Sequence, residues 1–202
     1  MKKPNPATGP APTPTSVSTK ELVKDKTPYE KNARVTVERL KDLTSADLND
    51  LCDATEEAIL QGGGFGWLEP PERWVLENYW NGVVLIPQRF LWVGRLDGVI
   101  AGSVQLQRTP KANEAQRYVG TLSTLFIAPW ARNYGISHQL IDALEDGAQK
   151  LGMRVVDAAV RTTQTAAMAL LESLDYQVIG THPYYAQVND EWVSGRYFTK
   201  AL

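Results

Sequence analysis

The sequence predicts an α/β fold in which one mixed, mostly antiparallel sheet carries helices on both faces. Three observations support that expectation. From Arg34 onward, stretches with strand patterning alternate with stretches of helical apolar spacing, in the order β-α-α-β-β-β-α-β-α-β-β. Asp97-Gly98, flanked by two apolar runs, is a strong signal for a tight antiparallel hairpin. Arg154–Arg161 is almost continuously apolar, as a strand buried within a sheet must be.

Composition narrows the function classes. A chain of 202 residues suffices for one domain that needs neither metal nor disulfide to fold. Lys+Arg 21 against Asp+Glu 23 gives a net charge of −2, which argues against a dedicated nucleic-acid binder. The single cysteine, Cys52, cannot form an internal disulfide and fits a reducing, cytoplasmic compartment. With only His138 and His182 available, a His-rich or Cys/His metal site is not expected. The longest apolar run, Ala166 to Leu171, is six residues, far short of the ~20 that a membrane helix needs. No apolar stretch follows Lys2-Lys3, so a secretory signal is not expected either.

Residues 1–33 differ from the rest. They hold six of the 12 prolines and lack Phe, Trp and Ile, so they are expected to be a disordered, Pro-rich tail. Six lysines against three acids give this segment +3, which leaves −5 for residues 34–202, the expected domain.

Within that domain, Arg34–Arg39 alternates as a strand does. Thr44 and Asp47 have the spacing of a capping box, and apolar residues at 48, 51, 52, 55, 58 and 59 predict a helix to Leu60. Cys52 falls on its buried face, where it is a small core residue rather than a nucleophile. Glycines at 62, 63, 64 and 66 interrupt the helices, and Pro70-Pro71 opens a second one expected to end near Gly82. Phe90–Arg95 and Val99–Arg108 form the hairpin, and a polar loop from Pro110 to Gln116 leads to a strand at Tyr118–Ile127. A helix from about Gly135 is apolar at 136, 140, 144, 148 and 151 and stops at Gly152. The apolar strand, a short helix at Thr165–Leu174, and strands near Gln177–Val188 and Glu191–Lys200 complete the chain.

Residues 125–137, LFIAPWARNYGIS, carry the chemistry. A strand ends at Ile127, and a turn containing Gly135 opens an amphipathic helix. First-turn amides without intrahelical partners, together with the positive end of the helix dipole, make such a junction suited to an anion. Arg132 adds a cation, and Gly135 lets the backbone approach a ligand closely. Other phosphate signatures fail: the 62–66 glycines lack the Lys-Ser/Thr of a P-loop, and no GxGxxG follows a strand. Nor is there a GxSxG nucleophile elbow.

The RNYGIS segment resembles the Q/R-x-x-G-x-G/A motif of the GNAT superfamily of acyl-CoA-dependent N-acetyltransferases. The context is similar too, since VRTTQTAAMALLESLDYQVIG resembles that family's polar residue, Ala-rich helix, leucine and aromatic. The resemblance covers most of residues 34–202 by element order and is sharp over 118–182.

It implies an N-acetyltransferase that uses acetyl-CoA as cosubstrate, without metal, and passes the acetyl group directly to a primary amine. It implies that the pyrophosphate lies on the backbone of Arg132, Asn133, Tyr134, Gly135, Ile136 and Ser137. The pantetheine arm would pair with Leu125, Phe126 and Ile127, with an amide near Phe126 or Ile127 stabilising the oxyanion. Gln164 is the nearest match to a family Asn that touches pantetheine. The family tyrosine that often protonates the leaving thiolate aligns with Leu171, so that hydroxyl is missing.

Expelling a thiolate of pKa ~8.5 at pH 7 is uphill by only about 2 kcal/mol, whereas deprotonating an amine of pKa ~10.4 is uphill by about 4.6 kcal/mol. The acid is therefore the more dispensable partner. Tyr184 and Tyr185 are the candidates to replace it, and strand alternation lets one of them face the substrate. His182 is a weaker candidate as a proton relay, and His138 is assigned to the surface. Glu114 and Glu69 are candidate bases acting through water, and Trp67 a candidate wall of the acceptor pocket. That pocket is expected from 60–80, 110–116 and 182–196. The expected partner is a small-molecule or peptide amine, with slight acidity of the domain favouring a cationic one; neither nucleic acid nor membrane is expected, and a homodimer is compatible. Two rival readings remain, a GNAT-fold acyl-CoA sensor without transfer activity and a protein that binds another phosphate ligand at 132–137.

Overall fold

Thr44 shows how local sequence sets the first helix. Its hydroxyl accepts from the Asp47 amide at 3.1 Å and the Asp47 carboxylate accepts from the Thr44 amide at 3.1 Å, the reciprocal pair that starts α1 (Ser45–Leu60). The computed structural model describes residues 33–63 and 65–202. The expected tail therefore lies outside the described residues save for Ala33, as does Gly64.

Seven strands form one sheet: β1 (Val35–Leu40), β2 (Arg89–Leu96), β3 (Val99–Arg108), β4 (Val119–Ile127), β5 (Val155–Arg161), β6 (Gln177–Val188) and β7 (Glu191–Ala201). Their spatial order is β1-β2-β3-β4-β5-β7-β6. Among the described residues β4 and β5 are the one parallel pair, and the other neighbours run antiparallel. The expected mixed, mostly antiparallel sheet is what forms.

Alternation along the central strands divides the core. Leu91, Val93 and Ile100 face α1 and α2 (Arg73–Leu85), where Leu51, Leu76 and Trp80 are fully buried. Trp92, Val104 and Leu106 face the other way, toward α3 (Ile136–Lys150) and the Leu171 end of α4 (Thr165–Ser173). Cys52 is fully buried, and burial pushes its thiol up to about 11, as befits a core residue.

The second helix departs from expectation at both ends. It begins at Arg73, whose guanidinium reaches Asp53 and the Asn49 carbonyl on α1, and it passes Gly82 to end at Leu85. Gly82 faces open space and sets no boundary. The stop comes from Pro87, which holds the preceding Ile86 extended, at φ −83° and ψ 115°.

Candidate active site

β3 and β4 lose their simple register where the cleft begins. Gln105 pairs with Ser123 but Ser103 pairs with Phe126, so β4 carries one extra residue. Thr124, in that bulge, takes φ +50°. Its hydroxyl lies 3.3 Å from the Tyr79 hydroxyl, which in turn accepts from the buried Gln105 amide at 3.0 Å. This small network ties the bulge to α2.

On the other edge, β4 pairs with β5 only from Val119↔Val155 to Leu122↔Ala158. Beyond that point the two strands part. The Ala128 amide donates to the Ala101 carbonyl at 2.7 Å and Phe126 pairs with Ser103, so by alternation the Ile127 amide faces the opening, while Leu125 lies in the bulge. Phe126 lines the opening together with Leu125 and Ile127, while its backbone pairs with Ser103 of β3. Its side chain is buried against Phe65 and Trp80.

The opening runs straight into the start of α3. Gly135, the residue before its first turn, has φ +75° and open space where a Cβ would stand. Asn133 is also left-handed, at φ +69°, a conformation its short amide side chain tolerates. No side chain caps the helix, so its first amides remain directed at the groove. Arg132, Asn133, Gly135, Ile136 and Ser137 line a cavity of about 860 Å³ that also takes in Leu125, Phe126, Ile127 and Gln164. Tyr134 packs on the core instead.

A strap crosses this cleft. The loop leaving α1 folds back through Gly63, whose amide donates to the Ala58 carbonyl at 2.7 Å. A Cβ on Gly63 would meet that carbonyl oxygen at 2.4 Å, so the close return requires glycine. Three side chains hold the strap: Arg132 donates to Gln61 Oε1 at 3.0 Å, Gln164 to the Gly62 carbonyl at 2.6 Å, and Arg161 to the Gly63 carbonyl at 3.1 Å. Arg161 and Gln61 carried no signal in a one-dimensional reading, because only folding brings positions 61 and 161 together.

Beyond the strap lies a second cavity, of about 450 Å³, lined by Phe65, Leu68, Leu122, Ser123, Arg161 and Leu171 among others. Tyr185 enters it and Tyr184 does not. Where β6 opposes His182 to Gly195 and Ala186 to Val193, it carries two extra residues, a distortion around Pro183. Tyr185 swings across Gly195 toward β5, with its hydroxyl 3.5 Å from the Ala159 carbonyl, a long and loose contact. Burial and neighbouring Tyr197 hold that phenol above its ordinary value, with Arg161 pulling the other way. Tyr184 is 63% exposed and packs edge-on against Trp192.

The remaining candidates fall elsewhere. His182 is exposed, and its Nδ1 accepts from the Tyr184 amide at 3.0 Å, a local turn contact. His138 is exposed beside the larger cavity. Glu69 and Glu114 are exposed and line neither cavity. The 110–116 loop precedes β4, whereas the cleft opens at that strand's far end, and no residue of that loop lines either cavity. Trp67 turns inward onto Phe65 and Tyr79, leaving Phe65, Gly66 and Leu68 to form the wall. Leu171 is 1% exposed and offers only hydrocarbon to the cavity.

Comparison with known proteins agrees with this architecture. A protein from Azospirillum brasilense, named an uncharacterized N-acetyltransferase in the hisH-hisA intergenic region, is 53% identical over 130 residues, 64% of this chain and 77% of that protein. The fold matches an N-acetyltransferase from Staphylococcus aureus Mu50 with a TM-score of 0.70 at 19% identity, over 84% of this chain and 98% of that one. It also matches a GNAT superfamily phosphinothricin acetyltransferase from Sinorhizobium meliloti, solved in complex with AcCoA, with a TM-score of 0.69 at 20% identity, over 83% and 88% of the two chains. The model of the acetyltransferase (GNAT) family matches residues 53–176, from within α1 to just before β6. With more than half its length inside that match, the chain belongs to the GNAT family of acetyltransferases.

Proposed function

We propose that the chain transfers an acetyl group from acetyl-CoA to a primary amine by direct attack. One observation carries this reading: β4 leaves β5 after Leu122, and its open edge from Leu125 to Ile127 leads to the start of α3. An extended strand edge open to the cleft suits an amide-bearing pantetheine arm, and a helix N-terminus approached through Gly135 suits a pyrophosphate. The larger cavity, about 860 Å³, has the size of a cofactor site, and its lining includes Arg132 but no Asp or Glu among the described residues. Acetyl-CoA, which was bound in the Sinorhizobium neighbour, supplies an activated acyl group as a thioester.

The chain's own residues then have distinct tasks. The Ile127 amide is a donor preorganised toward the cleft, where negative charge develops on an acyl oxygen. Tyr185 holds its proton at neutral pH and is the hydroxyl that Leu171 lacks, presented in the same cavity from β6 instead of α4. No carboxylate lines either cavity among the described residues, so the ammonium proton leaves through water.

The test is mass spectrometry of products after incubation with acetyl-CoA and a panel of primary amines. A product about 42 Da heavier than the amine, from an acetyl group of about 43 Da replacing one hydrogen with coenzyme A leaving as the thiol, is the expected result. Tight coenzyme A binding with no amine acetylated would favour the sensor reading, and absence of coenzyme A binding would remove both.

A further inference from the structure

The smaller cavity has an unusual charge arrangement for a domain with excess acid. Arg161 is the single charged side chain among its described lining residues. The guanidinium is partly buried, and among the described residues it makes no ion pair. Its hydrogen bonds are from one nitrogen, Nη2, to the Gly63 and Phe65 carbonyls at 3.1 and 3.4 Å. Carbonyls are dipoles and leave its positive charge unmatched. A partly buried cation without a counter-charge is costly, and an anion that enters the cavity relieves that cost.

We infer that the acceptor is a small primary amine that also carries a carboxylate, a molecule of amino-acid type, and that Arg161 recognises the carboxylate. This rests on the acetyl-transfer reading of the cleft. Arg161 and Ala159 lie two residues apart on β5 and so on the same face. The Tyr185 hydroxyl reaches the Ala159 main-chain carbonyl, and Tyr185 lines the same cavity as Arg161. An acceptor anchored by its carboxylate at Arg161 therefore has its amine within the cavity where the proposed acid stands. The cavity, about 450 Å³, suits a small molecule rather than a protein surface. Its other lining is apolar or neutral, with Phe65, Leu68 and Leu122 available to a hydrocarbon side chain and Ser123 and Gln187 as neutral polar groups.

The same arrangement disfavours polycationic acceptors. A second ammonium would meet Arg161 and find no carboxylate on the wall. The net −5 of residues 34–202 had pointed toward a cationic acceptor, but that acidity lies outside the cavity. A binding site answers to the charges that line it.

The experiment uses the full chain, acetyl-CoA and matched triplets of amines: leucine, leucinamide and isoamylamine, with the corresponding triplet from phenylalanine, and spermidine as the polycation. Within a triplet the hydrocarbon is constant and only the carboxylate changes. The expected result is a kcat/KM for the amino acid at least tenfold above its amide and its decarboxylated amine, with spermidine poorest. In Arg161→Gln, which keeps an N–H donor for the strap carbonyls but removes the charge, that ratio should collapse toward one; Arg161→Lys should retain part of it. A purely structural role would lower all rates without moving the ratio. Acetylation of the triplet members at equal rates, or preference for spermidine, overturns the carboxylate inference and leaves acetyl transfer standing. Failure to acetylate any amine while coenzyme A binds overturns acetyl transfer, and this inference with it.

Discussion

The Tyr185 ring occupies the space that a side chain at position 195 would fill: a Cβ on Gly195 would stand 2.2 Å from Tyr185 Cγ. The phenol reaches the cleft because β7 has no side chain at the point it crosses. Gly195→Ala should therefore act through Tyr185. It is expected to slow turnover toward the level of Tyr185→Phe, on the order of 10²-fold for a lost general acid, while coenzyme A affinity stays within about twofold. Steady-state kinetics beside a calorimetric titration checks this. Wild-type kcat in Gly195→Ala would show that the position of the ring does not matter.

Tyr184 provides the matched control. It is exposed and rests on Trp192, so Tyr184→Phe should leave turnover unchanged. Because burial, with help from Tyr197, raises the Tyr185 phenol, the acid form persists above the ordinary value of about 10. The limb of the kcat–pH profile that reports loss of this proton should lie above that value. A limb in the neutral range would assign the acid to another group.

Gly135→Val tests the groove. The φ of +75° is one that a β-branched residue does not adopt without strain, although the space around the Cβ is open. The valine should turn the α3 amides and weaken coenzyme A at least tenfold, with Gly135→Ala intermediate. Unchanged affinity in calorimetry would dissociate the helix start from cofactor binding.

Element order, the α1 capping box and the turn at 132–137 were all legible in the sequence, because each rests on spacing within a few residues: the 3.6-residue apolar period, Thr44 with Asp47, Gly135 before an amphipathic helix. What was not legible depends on juxtaposition. The direction of the Ile127 amide follows from a bulge at Thr124 that only pairing with β3 creates. Tyr185 was separated from Tyr184 by the distortion around Pro183 and by a glycine on the adjacent strand. Arg161 looked like the polar end of an apolar strand until the fold placed the glycine strap against it. A glycine inside a strand, as at 195, was the one local hint of a close approach.

Asp47 should make stability fall in acid. Burial alone would raise its carboxyl, but hydrogen bonds from Thr44 and Arg95 outweigh it and leave the group below its ordinary range. A depressed folded-state value means the contribution is complete above the unfolded value of about 3.9 and is lost as pH falls through the folded one. Asp47→Asn should flatten that acid-side slope. At neutral pH it should cost about 2 kcal/mol, since the change weakens a helix cap and strips Arg95 of a partner 2.6 Å away. For a domain of this size that lowers Tm by roughly 4–8 °C. A melting temperature unchanged at pH 7 would mean that Glu38, at 2.7 Å, suffices for Arg95.

The strap draws on side chains that the proposed cosubstrate site also offers, and competition between the two would have a measurable sign. Arg132 and Gln164 line the larger cavity, yet each donates to the strap, at Gln61 and at the Gly62 carbonyl. If coenzyme A uses either donor, the corresponding strap bond must break, and its cost is deducted from affinity. Gln61→Ala removes the Arg132 contact beforehand. A charge-assisted hydrogen bond in an exposed setting is worth about 0.5–1 kcal/mol net, so the variant should bind coenzyme A roughly two- to fivefold more tightly. It should also show faster amide hydrogen exchange at Gly62 and Gly63, whose amides now close the turn at the end of α1. Weaker binding in Gln61→Ala would mean that Gln61 itself contacts the cosubstrate, in which case the strap is a wall of the site and not a competitor for its donors.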